Sequence, residues 1–321
     1  MKAEKLTPLA VLGALRAKTG EPGTLVLGWS PARAAEPPIA LVTINQQALF
    51  FNQMIDGAEA AAKDKGAKLV VFNANNDPAA QNNSIETYIA QKVNAIIVVA
   101  IDVNGIMSAV QEASSAGIPV LAVDAVLPKG PQKSQIGVDN EGAGRQIGDV
   151  FLKYVEGHMG GKARVGIVGA LNSFIQNQRQ KGFEDTIKAD KNVSVVGVVD
   201  GRNIQDNALA AAENLMTGNP DMNAVYATGE PALVGAVAAV DAQGAKDRVK
   251  VFGWDLTKQI IKGIDDGYVV AVVQQDPAGE GKAAVDAAVT LVNGGTVPPK
   301  IDVPVTIVTK ENVDKFRSMF R

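Results

Sequence analysis

Asp124 and Asp255 each stand directly behind a run of β-branched and apolar residues, PVLAV (119–123) and VKVFG (249–253) with Trp254. Gln275 sits in the triplet Gln274-Gln275-Asp276. Other polar and aromatic candidates fall behind similar runs: Gln47, Phe50 and Phe51 behind IALVTI, and Asp102 behind AIIVV. Phe174 and Asn177 follow ARVGIV, Asn203 follows VSVVGVV, and Glu230 follows AVYA. Carboxylates accept hydrogen bonds, amides both donate and accept, and aromatic faces stack on C–H surfaces. That mixture suits a small neutral polyhydroxylated ligand, because each hydroxyl both gives and takes. Each residue also has a structural reading. Phe50 and Phe51 would start a helix and face the core, Asp124 and Asp255 would cap turns, and Trp254 would be a core residue with its N–H bonded to backbone.

Much other chemistry is excluded. The 321 residues contain no cysteine and one histidine, His158, which removes disulfides, thiolate chemistry and His- or Cys-based metal sites. His158 lies in GHMGG, a turn-like stretch, and no metal or cofactor is expected. Net charge is −3 with no basic run, so no nucleic-acid footprint is present. EGAGRQIG (141–148) imitates a dinucleotide fingerprint but has Ile147 at the place of the third glycine. There is no P-loop, nucleophile elbow or Ca²⁺ loop. Nothing assembles into an enzyme, and no apolar run reaches the ~18 residues of a membrane span.

From Ile39 onward, apolar strand-like runs alternate with Ala-rich helical segments at 51–65, 79–92, 104–116, 141–156, 177–190, 206–217, 231–243 and 257–266. Continuous apolar strands separated by helices imply a parallel sheet covered on both faces, the α/β class. Gly66, Gly117, Gly218 and Gly244 sit where helices should stop. The pattern repeats: the stretch 95–124 has its counterpart in 224–255, each reading strand, helix, strand, then Asp. Two similar doubly wound lobes are the simplest reading, and ligands of such sheets bind outside the carboxyl ends of the strands. Residues 1–38 read as a leader or irregular N-terminal segment. Lys2 and Lys5 precede a short apolar stretch, and Ala32-Arg33-Ala34 has the small-x-small form of a signal-peptidase site.

Over Ile39 to about Val308 the chain resembles the ribose-binding type of periplasmic substrate-binding protein, which shares its core with lactose-repressor-type regulators. The carrying motifs are IALVTINQQALFFNQMIDGAEAAA, NDPAAQNNSIETYIAQKVNAIIVVAID, AGIPVLAVDA, NQRQKGF, and KVFGWD followed by QQDPAGEGKAA. The resemblance implies two α/β lobes joined by a three-strand hinge, crossing near 138–141, 274–277 and 303–306. The N-terminal lobe would hold 39–138 and 276–304, and the C-terminal lobe 139–275 and 305–321. It further implies a ligand between the lobes, sandwiched by Phe50 and Phe51 and bound by Asp124, Asp255 and Gln275. The membrane subunits of an ABC permease would read the closed form, outside the cytoplasm. The resemblance implies two arginines that this chain replaces: Ala125 follows Asp124, and Asn177 stands in for the second, with Arg179 two places later.

The function expected is therefore a monomeric solute receptor of an ABC importer, with a regulator's ligand-sensing core or a chemotaxis receptor as the alternative. Repressors carry a helix-turn-helix of about 60 residues before this core, and no such pattern is seen in residues 1–38. Without the two arginines, a donor-only partner for a ring oxygen is missing. The expected ligand is then a sugar alcohol of about four to six carbons, such as xylitol, threitol or erythritol, with a cyclic pentose as its rival.

Overall fold

A computed structural model describes residues 38–320. The expected leader falls almost wholly outside the described residues. The first half runs β1 (Ile39–Thr43), α1 (Leu49–Asp64), β2 (Leu69–Asn73), α2 (Pro78–Ala90), β3 (Ala95–Val98), α3 (Met107–Ser115), β4 (Val120–Val123) and β5 (Ser134–Gly137). The second half repeats the order: α4 (Asn140–His158), β6 (Ala163–Gly169), α5 (Phe174–Ile187), β7 (Val193–Asp200), α6 (Gln205–Gly218), β8 (Ala224–Ala227), α7 (Glu230–Ala242), β9 (Lys250–Trp254), α8 (Lys258–Asp265) and β10 (Val269–Gln274). Then come α9 (Pro277–Val292), β11 (Lys300–Asp302) and β12 (Thr306–Val308).

These strands form two six-stranded sheets, β11-β5-β4-β3-β1-β2 and β12-β10-β9-β8-β6-β7. Replacing each strand of the first by its counterpart yields the second, so the internal repeat is a repeat of topology. The chain passes from one sheet to the other between β5 and β6, between β10 and β11, and between β11 and β12. The third passage explains the one difference between the edges. β11 is parallel to β5, whereas β12 is antiparallel to β10. β5, β10 and β11 all run toward the junction, and β12 runs away from it.

Strand alternation sends side chains to opposite faces. In the first sheet Ile39, Leu41, Ile97 and Val123 join α1 and α9, while Ala40, Val42, Ile96 and Ala122 join α2 and α3. In the second sheet Val165, Ile167, Phe252 and Trp254 pack toward α4 and α5, and Val225, Ala227 and Val251 toward α6, α7 and α8.

Helix pairs on equivalent faces are drawn together at equivalent glycines. A Cβ on Gly57 of α1 would lie 2.1 Å from the Ala278 carbonyl oxygen of α9, and one on Gly182 of α5 would lie 2.1 Å from that of Glu141 in α4. The reciprocal positions, Gly281 and Gly144, abut the carbonyls of Met54 and Arg179. Only hydrogen at these four positions lets the backbones approach so closely.

Several boundaries differ from those read in the sequence. Gly66, Gly117 and Gly244 take left-handed φ values of 66°, 81° and 60° after their helices. Gly218 instead is the last helical residue of α6, and Asn219 is the cap. α3 begins at Met107 because Asp102 first closes a turn, accepting from the N–H groups of Asn104 and Gly105. α5 begins at Phe174 because the Ser173 hydroxyl caps it, accepting from Gln176 N–H. α9 and the short strands β5, β11 and β12 lie beyond the sequence-read alternation.

Candidate ligand-binding site

The carboxyl ends of both sheets face the crossings, and the polar candidates gather there around one side chain, Arg179. α5 starts at Ser173, so its inward stripe at helical spacing is Gln176, Arg179, Phe183 and Ile187, all buried. Arg179 is only 6% exposed. Its Nε donates to Asn140 Oδ1 at 2.8 Å, one Nη to the Thr228 carbonyl at 3.3 Å, and the other Nη to Gln275 Oε1 at 3.2 Å. The guanidinium carbon sits 3.8 Å from the Trp254 ring centroid, a cation–π contact. Asn140 opens α4 just past the first crossing, and Gln275 lies on the second, so one arginine touches two of the three strands that join the lobes. Three of its five N–H donors are used, and two have no acceptor among the described residues.

Gln275 stands between that cation and Asp255. Its Nε2 donates to both Asp255 carboxylate oxygens, at 3.1 and 3.0 Å. Desolvation raises the Asp255 carboxyl above its usual range, while Arg179 and the Gln275 amide pull it down. Asp124, across in the other lobe, has no side-chain hydrogen bond among the described residues. Desolvation, less the attraction of Arg179 and with repulsion from Asp255, pushes its carboxyl up to about 6. Desolvation draws Arg179 below its ordinary value, with Asp255 the strongest charge opposing this and Asp124 also contributing.

The other sequence candidates divide. Phe50 and Phe51 form the first turn of α1, half-buried, with ring centroids 5.3 Å apart and planes at 87°. Gln47 is exposed, and its backbone N–H donates to Asn45 Oδ1. Glu230 begins α7 at the exposed rim, where desolvation and then Asp255 raise its carboxyl. Asn203 is exposed and accepts from Gln176 Nε2 at 2.7 Å, and Gln176 Oε1 accepts from Thr228. Phe174 is 62% exposed at the start of α5.

Trp254 needs correction, and Asp102 and Asn177 lie exposed on their own elements. Trp254 is fully buried, its ring under Arg179 and its Nε1 donating to Tyr226 Oη at 2.8 Å, because the last residue of β9 points to the α4–α5 side. It supports the site from below and has no face for a ligand. Asp102 is exposed, and its Oδ1 accepts from its own turn, whose Gly105 and Asn104 N–H bonds lower its pKa. Asn177 is exposed in the first turn of α5 and donates from Nδ2 to the Leu171 carbonyl, while Arg179, two residues on, is buried. Ala125 follows Asp124, and the second lobe carries its guanidinium at Arg179 beside Gln275.

Arg179 and Asn140 were not among the sequence-read site residues. The signal lay in the Ser173 cap, which fixes the helical phase of NQRQKGF.

Comparison with known proteins places this geometry. Residues 39–296 match the periplasmic binding protein domain. The chain is 30% identical over 278 residues to the ribose import binding protein RbsB of Escherichia coli K12, covering 86% of this chain and 92% of that protein. Among solved structures it is similar to an ABC transporter periplasmic solute binding protein from Actinobacillus succinogenes with bound D-allose, at 27% identity and a TM-score of 0.78 over 87% of this chain and 100% of the other. It is likewise similar to an ABC transporter solute binding protein from Mycobacterium smegmatis with bound glycerol, at 26% identity and a TM-score of 0.74 over 88% and 96%. With two six-stranded α/β lobes, three crossings and converging strand ends, the chain belongs to the periplasmic binding protein family, the sugar-binding components of ABC transporters.

Proposed function

We propose that the protein is an exported receptor that captures a monosaccharide or small polyol between its lobes and delivers it to the permease of an ABC importer. The observation that carries this reading is the disposition of Asp124 and Asp255. Two equivalent strand ends, one per lobe, each present a carboxylate to one shared guanidinium, and the carboxylate on the first lobe has no partner. A neutral ligand rich in hydroxyls supplies the missing donors to Asp124, and its oxygens accept from the two spare N–H groups of Arg179. Phe50 and Phe51 offer edges and faces to C–H surface. A ligand bonded to both lobes favours the closed arrangement by its differential affinity and by no more.

A ring oxygen is acceptor-only and suits Arg179; an open-chain alditol uses the same donors through hydroxyls. Calorimetry with D-ribose, D-allose, myo-inositol, ribitol, xylitol, erythritol and glycerol tests the reading. Saturable one-to-one binding of at least one supports it, and ribose against ribitol decides between ring and chain. Heat-silent titrations with all seven, with no change in melting temperature, would sink it.

A further inference from the structure

Glu280 is fully buried, and neither of its carboxyl oxygens has a hydrogen-bond partner. It lies in the first turn of α9, four residues past the Asp276 cap and one before Gly281, whose backbone abuts that of Met54 in α1. Its equivalent in the other lobe, counted from the start of α4, is Ala143, so the repeat does not require a carboxyl group here. The charged groups acting on it are Asp124 behind β4, Arg179 on α5, Asp276 at its own helix cap and Asp255 behind β9. At the neighbouring Gly281, the nearest atoms of α1 are backbone atoms of Met54 and Ala58. Three anions and one cation therefore surround a fourth acid that has no donor to hold it ionised.

We propose that Glu280 is a positioning residue of the cleft: an uncharged carboxylic acid behind Asp124 that leaves Arg179 to the two strand-end aspartates and the ligand. This rests on reading the cleft as a sugar or polyol site. An ionised, unpaired buried carboxylate is costly, and such a group takes up a proton instead. Desolvation, with Asp124 next, holds the Glu280 carboxyl well above its ordinary range. Above that range Glu280 becomes a second anion beside Asp124 and competes for Arg179. Ligand affinity then falls on the alkaline side.

The test follows the side-chain carboxyl carbons of Asp124 and Glu280 by NMR in the full chain, with Glu280→Gln to assign the second signal. The Glu280 carbon is expected to titrate at higher pH than the Asp124 carbon, without any ligand present. With whichever of D-ribose, D-allose, myo-inositol or xylitol binds, affinity should drop about tenfold per pH unit once Glu280 ionises, and that drop should be absent in Glu280→Gln. A Glu280 carbon titrating with or before Asp124, or an alkaline drop that persists in Glu280→Gln, overturns the proposal. If none of these four and none of ribitol, erythritol and glycerol binds, the sugar-site reading fails, and the titration order by itself still decides whether Glu280 is the uncharged acid.

Discussion

Asp124 and Asp255 are the same residue of two copies of one fold. Each follows the fourth strand of its sheet, each takes a left-handed φ, 59° and 65°, and each donates its N–H to the next strand, Ile136 and Val273, at 2.9 Å. The unusual φ turns the side chain off the strand line at the sheet's carboxyl end. Aspartate and asparagine tolerate this region better than most residues.

Asparagine is accordingly the substitution that isolates charge from backbone. Asp124→Asn and Asp255→Asn should each weaken ligand binding by about 2–5 kcal/mol, since charged hydrogen bonds in a desolvated cleft are lost and ligand donors are left unpaired. Melting temperatures should move little. Calorimetry with parallel melting curves checks this; normal binding with early melting would make both residues turn caps only.

Arg179→Lys should fail to restore function. Lysine cannot reach Asn140, Thr228 and Gln275 with a planar fork or stack on Trp254 in the same way. Breaking this buried network should cost about 3–5 kcal/mol of stability in Arg179→Met, which leaves Asp255 uncompensated. Urea unfolding measures the loss, and an Arg179→Lys protein with wild-type affinity would contradict the central role of the guanidinium.

Gly144→Ala and Gly281→Ala should both destabilise by about 1–3 kcal/mol, because the new methyl meets a backbone carbonyl that cannot turn aside. Only Gly144→Ala pushes on the residue carrying the guanidinium. It should therefore lose more ligand affinity than Gly281→Ala at matched stability, a comparison made by denaturant titration and calorimetry.

Stability should fall as pH rises through the weakly acidic range. Asp124 and Glu280 both bind their protons more tightly when folded, so the native state holds more protons than the unfolded chain above the ordinary carboxyl range. Under linkage, unfolding free energy then decreases with pH, for Asp124 from about 4 up to about 6. Glu280→Gln should be more stable than wild type at neutral pH, with the gap closing as pH falls toward about 4.5. A gap independent of pH would mean the glutamate is ionised in the folded protein.

The strands and helices from Ile39 to Asp265 were legible because period and caps agree over long stretches. β5, β11 and β12 were not: SQIG, KID and TIV are short and lack the continuous apolar character of the equally short β3, β4 and β8, and their pairing comes from the crossings. Asp124, Asp255 and Gln275 were legible at the site because the residue behind a strand has a fixed place in this architecture. Arg179 was not read as a site residue because helical phase depends on where α5 starts, and the Ser173 cap puts that start three residues upstream of the expected 177. Trp254 was misjudged because a strand's final residue points to one face or the other, and only the pleat says which.

The order of the crossings also governs how the chain comes together during synthesis. α1 emerges early, but the helix that fills its groove, α9, and the strand that closes its sheet edge, β11, are encoded after the entire stretch from Asn140 to Gln274. The first lobe therefore leaves the ribosome with one flank uncovered and a bare edge. It stays open until the second lobe has been made. For the exported receptor proposed above, that delay leaves the leading half with no complete core to lock before the trailing half arrives.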